Sequence, residues 1–304
     1  MKIEELQWWA AVACRLYYIV GTCTAVMLYA VPLGRDSVLR YGKTLLGLKP
    51  ANSKQSDSLI SWFESLRVPK AWFTHFYIVG SLWNALIIAA SLYFGASGRV
   101  LVVSSVNQVH LLRRLYECLY VQVLSASAMM HAGVYLLGVT YYITTPLALV
   151  IDPNPTLQQQ QHLSWYDVAF ILLAFNAMIG QYQHHKLLAD LRSPSTTKSS
   201  NDKDNNNSKS SKSSKSSSSS SNKYSIPRGG MFDMVSCPHY FLEIVYYSYM
   251  WLLTGSTANI TTLILVLYVA ITLSISATST HKWYKEHFGE LYPLDRKRII
   301  PAIF

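Results

Sequence analysis

Seven stretches of this chain, roughly 8–33, 72–95, 101–125, 127–150, 165–188, 232–253 and 257–280, are mostly apolar over the length a helix needs to cross a bilayer, about 20 residues. Lipid offers no partner to backbone N–H and C=O groups, so such segments must close their hydrogen bonds internally as helices. The chain is therefore read as all-α, a polytopic integral membrane protein of about seven transmembrane helices. Trp8, Trp9, Trp72, Trp165 and Tyr166 fall near span ends, as suits residues with an apolar ring and a polar edge.

Charge gives the direction of the spans. Only 14% of the 304 residues are charged, yet the formal net charge is +10; a soluble domain carries about 25%. Twenty of the 26 Lys and Arg lie in residues 34–71, 192–230 and 281–304. If seven spans alternate, these three stretches share one side, and the excess of basic residues in short loops marks that side as cytosolic. The N-terminus is then lumenal and the C-terminus cytosolic. Read this way the basic balance labels topology, and no nucleic-acid partner is expected.

Four regions follow: 1–95, two helices and a basic cytosolic loop; 96–192, a central membrane region; 193–225, an insertion rich in Ser, Lys and Asn; and 226–304, a C-terminal region. Residues 195–223 have no apolar periodicity and contain the run SSKSSKSSSSSS. Such a composition does not offset the entropy of ordering, so a disordered cytosolic linker is expected. Cys14, Cys23, Cys118 and Cys237 show no paired spacing and read as buried free thiols.

Ionisable groups inside spans are costly and usually face a cavity or a partner. In the third span Asn107, His110, Arg113, Arg114 and Glu117 recur at helical spacing and share one face. Such a stripe needs water, a ligand or partner helices beside it; an Arg–Glu network tying helices together is the structural alternative. Gln181, His185 and Arg192, with His184 nearby, align on the fifth span, His239, Glu243 and Tyr246 on the sixth, and His281, Tyr284 and Lys285 on the seventh. On the alternating topology all four groups lie at the cytosolic side. There Arg113, Arg114, Arg192, Arg228, Arg296 and Arg298 are expected to converge on a polyanion, since guanidinium groups suit phosphate. The pattern points to a cytosolic, phosphate-bearing ligand meeting a lipid-phase substrate. The chain has neither a GxGxxG nor a Walker A motif, and its nine His form no ligand boxes, so no metal site is expected.

The segments HLLRRLYECLYV (110–121), QYQHHKLLADLR (181–192), IPRGGMFDMVSCPHYFLEIVYY (226–247) and HKWYKEHFGELYPLDRKRIIPAIF (281–304) resemble the steroid 5α-reductase family, in its polyprenol (polyprenal) reductase branch. The resemblance implies a seven-helix enzyme of the endoplasmic reticulum membrane with its active site toward the cytosol. It implies NADPH as cofactor, a long-chain polyprenoid as substrate, and reduction of the α-isoprene double bond on the route to dolichol for protein N-glycosylation. Residues 226–304 are then the C-terminal reductase region. Carried over by position, dinucleotide contacts fall on Gln181, His185, Arg192, His239, Glu243, Tyr284 and Arg296. Steroid-reducing relatives carry Asn or Asp where Gln181, His185 and His239 align, which suits a different branch.

Hydride does not readily attack an isolated alkene, but it adds to the β-carbon of a conjugated carbonyl when a donor stabilises the enolate oxygen. Polyprenal is thus a more reasonable substrate than polyprenol. A Tyr hydroxyl, or a carboxyl kept neutral by desolvation, can supply the proton or polarise the carbonyl. The catalytic candidates are Glu117, Tyr116 and His110, with Glu117 or Tyr116 favoured beside the carbonyl. The alternatives are 3-oxo-5-alpha-steroid 4-dehydrogenase activity, a membrane methyltransferase of the isoprenylcysteine type suggested by Cys237-Pro238-His239-Tyr240, and a non-enzymatic seven-span transporter or receptor.

Overall fold

The computed structural model describes residues 3–31, 65–125, 127–152, 162–192, 224–255 and 259–304. The Ser-rich tract 195–223 and most of the first basic loop lie outside the described residues. Among the described residues are seven long helices: α1 (Ile3–Ala30), α2 (Phe73–Tyr93), α3 (Gly98–Tyr116), α4 (Ala132–Ala148), α5 (Trp165–Asp190), α6 (Pro238–Leu253) and α7 (Ile260–Phe288). Three segments of the described residues, Glu4–Ala30, Lys70–Tyr93 and Ile260–Leu291, are long and apolar enough to cross a membrane. The polar stripes of α3 and α5 dilute their apolar character, while α4 and α6, at 17 and 16 residues, are short.

Local chemistry sets several helix ends. The Ser97 hydroxyl accepts the Val100 N–H at 3.2 Å and starts α3. Ser164 and Asp167 form a reciprocal capping box at the start of α5, the arrangement that satisfies two orphan donors at once. Pro238 sits in the first turn of α6, where its missing N–H costs nothing. The buried Asn259 caps α7 by accepting the Thr262 N–H at 3.0 Å.

Two departures from the sequence reading occur where the third span was expected to run to 125 and the fourth to begin at 127. After Tyr116 the helix widens into a π turn, Glu117–Val121, closed by the Gln122 N–H on the Glu117 carbonyl at 2.8 Å. Beyond it the chain is extended, and β2 (Met129–His131) pairs antiparallel with β1 (Arg67–Pro69). This ribbon is the one sheet among the described residues, beside an isolated bridge between Val235 and Lys297. It joins the chain just before α2 to the chain just before α4, so those two helices leave from a common end.

Cross-helix contacts give the remaining directions. Arg99 meets Asp167 near the starts of α3 and α5, and Arg114 meets His185 near their ends, so the two run parallel. Arg99 also donates to the Leu253 carbonyl, while Gln181 reaches Glu243, which sets α6 antiparallel to both. Arg15 bonds Thr261 and Tyr18 packs on Tyr268, aligning α1 with α7. Gln7 donates to the Ile151 carbonyl and Tyr18 to Thr144, so α4 opposes α1. Successive helices thus alternate, and the ends of α3, α5 and α7 lie with the start of α6 at one end of the bundle.

Tyrosines fill much of the centre. Tyr18, Tyr246 and Tyr247 are buried with Met250 and Leu265 in the larger core, and Phe76, Tyr77, Leu111, Met130 and Tyr142 form a smaller one between α2, α3 and α4. Gly138 lies so close to Phe76 that a Cβ there would run into the ring. At the opposite end from the polar stripes, Arg99 makes two bonds to Asp167, at 2.9 and 2.6 Å, and Arg15 pairs with Asp152 at 2.7 Å. Arg99, which falls between the expected spans 72–95 and 101–125, is therefore a buried member of the first turn of α3.

Candidate active site

The face expected on α3 is buried. Asn107, His110 and Glu117 are each 0% exposed and Arg114 is 7% exposed. One helix cannot satisfy so many polar groups, and the partners come from α2, α5 and α6. Glu117 is the hub: its carboxylate accepts from Arg113 at 2.5 Å, accepts from Arg114, and lies 2.7 Å from His185 Nδ1. The same His185 nitrogen is 2.8 Å from Arg114 Nη1, so it either donates to Glu117 or accepts from Arg114. Arg114 also donates to the Tyr77 hydroxyl, at 2.8 and 3.1 Å.

A second carboxylate joins through Gln181. Arg113 donates to the Gln181 carbonyl oxygen at 2.5 Å. The Gln181 amide in turn donates to Glu243 and, at 3.2 Å, to the His239 backbone carbonyl. His110 stacks on Tyr246 with ring centroids 4.1 Å apart and 8° between planes, and its Nε2 lies 3.4 Å from Glu243. The His185 and His239 rings are 5.3 Å apart. Two guanidinium groups thus face two carboxylates, with His110 and His185 set against them. His184 differs: its Nδ1 lies 2.6 Å from the Gly180 carbonyl and its Nε2 accepts the Met231 N–H at 3.1 Å. Both nitrogens are engaged in holding the loop before α6.

The C-terminal region builds an adjoining group. Tyr284 and Arg192 line one cleft with Tyr224 and Trp283. Arg192 is exposed and donates to the Val123 carbonyl at 3.3 Å. Tyr284 stacks on Tyr292, centroids 5.4 Å apart and planes 5° apart, and the Arg296 guanidinium lies 5.1 Å over the Tyr292 ring. Arg296 is 3% exposed and donates to the Pro227 carbonyl at 3.1 Å, while its Nε has no partner among the described residues. Arg192 is an exposed guanidinium among aromatic walls, and Arg296, outside the lining of that cleft, is a buried one with an unused donor; both are groups that suit phosphate. Burial pushes the Tyr292 hydroxyl above its ordinary value, so it stays protonated and able to donate.

Of the expected residues, Glu117, His110, Gln181, His185, His239 and Glu243 come together in the first cluster, and Arg192, Tyr284 and Arg296 lie in the C-terminal group. Tyr116 is not brought in: it is 50% exposed on the outer side of α3, beside Tyr120. One residue before Glu117 is a rotation of about 100°, enough to turn its ring from the interior. Of the six arginines expected to converge on a polyanion, Arg192 and Arg296 stand in the C-terminal group and three others are engaged elsewhere. Arg113 and Arg114 are engaged by Glu117, and the Arg298 guanidinium lies over the Phe304 ring at 4.6 Å. Reading by sequence missed Tyr77 and Tyr292, which sit one element away from the polar stripes and carry no periodic signal of their own.

The family model described as 3-oxo-5-alpha-steroid 4-dehydrogenase matches residues 206–304. A polyprenal reductase of Xenopus laevis is 30% identical over 303 aligned residues, which cover 88% of this chain and 85% of the relative. The polyprenal reductase of Saccharomyces cerevisiae is 29% identical, with 94% and 93% covered, and that of Homo sapiens 28% identical, with 88% and 86% covered.

Proposed function

The chain belongs to the steroid 5α-reductase family, with the polyprenal reductases, and from that premise we propose that it uses NADPH to reduce the α-isoprene double bond of polyprenal on the route to dolichol. It is an oxidoreductase acting on carbon–carbon double bonds. The proposal includes seven membrane spans in the endoplasmic reticulum, a lumenal N-terminus and an active site open toward the cytosol. The observation that carries the reading is the meeting of His110, Glu117, Gln181, His185 and Glu243 from three helices at one end of the bundle.

Of the seven dinucleotide contacts that the resemblance implies, Arg192, Tyr284 and Arg296 would hold the dinucleotide, which when bound supplies a hydride to the β-carbon of the conjugated aldehyde, while Gln181, His185, His239 and Glu243 lie in the Glu117 cluster and are reassigned to the chemistry beside it. The protein's own task is to hold the aldehyde oxygen and to place a proton on the α-carbon. A carboxylate taking N–H bonds from two guanidinium groups acts as an acceptor, the reverse of the donor role first considered for Glu117. Glu117 therefore enters as the group that orients Arg113, Arg114 and His185. The donors available to an enolate oxygen are those guanidinium groups and the ring nitrogens of His110 and His185. His185, held at Nδ1, is the group assigned to deliver the proton. The apolar surround of the helices supplies the dry setting in which such donors act strongly.

A 3-oxo-Δ4 steroid is the rival substrate, because the family description names that activity and the enone presents the same chemistry. Microsomes containing the protein, NADPH and either polyprenal, polyprenol or a 3-oxo-Δ4 steroid distinguish them by mass spectrometry of the products. Saturation of polyprenal is expected; a reduced steroid beside untouched polyprenal would overturn the assignment.

A further inference from the structure

The segment after α7 folds back across the loop that precedes α6. Val235 bridges Lys297 in parallel fashion, the Ser236 N–H donates to the Lys297 carbonyl at 2.9 Å, and the Cys237 N–H to that of Arg298 at 3.2 Å. At the centre of this crossing the Ser236 hydroxyl lies 2.6 Å from His281 Nδ1, 2.6 Å from the Tyr292 hydroxyl and 3.1 Å from the Lys297 carbonyl. Ser236, Tyr292 and His281 are all buried, at 1%, 1% and 8% exposed.

A serine hydroxyl has one proton and two lone pairs, and a carbonyl can only accept. All three contacts are hydrogen bonds in one arrangement: Ser236 donates to Lys297, while His281 Nδ1–H and the Tyr292 hydroxyl donate to Ser236. A single oxygen thereby joins α7, the loop before α6 and the C-terminal segment. Tyr292 in turn lies against two residues assigned to the dinucleotide, stacking on Tyr284 and lying under Arg296.

We propose that Ser236, His281 and Tyr292 form a latch that positions Tyr284 and Arg296 for the dinucleotide. The inference rests on the reading of Arg192, Tyr284 and Arg296 as the dinucleotide site. These are positioning residues: the hydroxyl of Ser236 is filled by protein partners on every side and has nothing left for a ligand. The latch fixes where the Tyr284–Tyr292 stack and the guanidinium stand, and leaves the cluster around Glu117 untouched.

The test uses the full chain purified in detergent and titrated with NADPH alone, with the fluorescence of the bound nicotinamide as the readout. Ser236→Ala removes the hub, and Tyr292→Phe keeps the ring stack while removing one bond. Each is expected to weaken NADPH binding, by roughly tenfold for Ser236→Ala and severalfold for Tyr292→Phe, as the loss of one or two buried hydrogen bonds implies. In turnover assays KM for NADPH rises likewise, while kcat at saturating NADPH and KM for polyprenal stay within about twofold of the parent, as removal of binding without removal of chemistry requires. If Ser236→Ala does not fold, Tyr292→Phe decides. Unchanged NADPH affinity in a folded variant, or a fall in kcat with affinity preserved, overturns the latch while the dinucleotide site stands. Absence of NADPH binding by the parent protein removes the site assignment and the latch with it.

Discussion

The two ends of the helix bundle both bury charge between α3 and α5, and they do so differently. At the start of these helices Arg99 meets Asp167 in a two-pronged pair, topped by the Leu253 carbonyl, and Asp167 also caps α5. Charge answers charge one to one, and the pair joins α3, α5 and α6 without a titratable neutral group. At the far end the same helices bring Arg113, Arg114 and Glu117 against Gln181 and His185, with Glu243 and His110 completing the chain. Here two histidines hang on the carboxylates, and one nitrogen of His185 stands between an acceptor and a donor. The first arrangement leaves no choice of proton placement; the second leaves one at His185 Nδ1, which is what the proposed proton delivery needs.

Breaking the first pair should give the largest effect. Arg99→Ala leaves Asp167 buried without its partner, and losses of this kind are about 3–5 kcal/mol. Chemical denaturation in detergent should show that drop, while reduction of polyprenal per folded molecule is retained. A milder loss would mean that water reaches Asp167. At the other end, His185→Gln removes a titratable ring and keeps a side chain that can hydrogen-bond Glu117 and Arg114. Turnover should fall by about a hundredfold, the range of a lost general acid, with the unfolding midpoint nearly unchanged. A parallel loss of stability and turnover would make the second cluster glue like the first. Smallest of all, Tyr116→Phe should alter turnover less than about twofold, since a half-exposed hydroxyl on the outer face touches none of the cluster; a large kinetic effect would return Tyr116 to the catalytic set.

Much of this contrast is legible in the sequence. The apolar stretches overlap all seven helices because length and apolarity are local properties, and the face from Asn107 to Glu117 follows from helical spacing alone. The Ser164–Asp167 capping box was also readable, as a serine followed three residues later by an acid before an apolar run. Its link to Arg99 was not, because Asp167 and Arg99 both sit at the ends of apolar stretches, where a charged side chain is ordinary and signals no burial. The ribbon of β1 and β2 was not legible: three residues each, paired across 60 to 64 positions, leave no periodic trace. The π turn at Glu117 and the outward turn of Tyr116 depend on local helix geometry that spacing arithmetic treats as uniform. Tyr292 and Ser236 come together only when the C-terminal segment folds back, so no window of sequence contains them both.

The role of the second cluster is tested most directly by following the transferred atom. Purified protein is given polyprenal and NADPH deuterated at the transferring C4 position, and the product is read by mass spectrometry and NMR. One deuterium at the β-carbon, one solvent-derived hydrogen at the α-carbon, and loss of this product in His185→Gln are the predicted result. A saturated product without deuterium, or full labelling by His185→Gln at the parent rate, would contradict it.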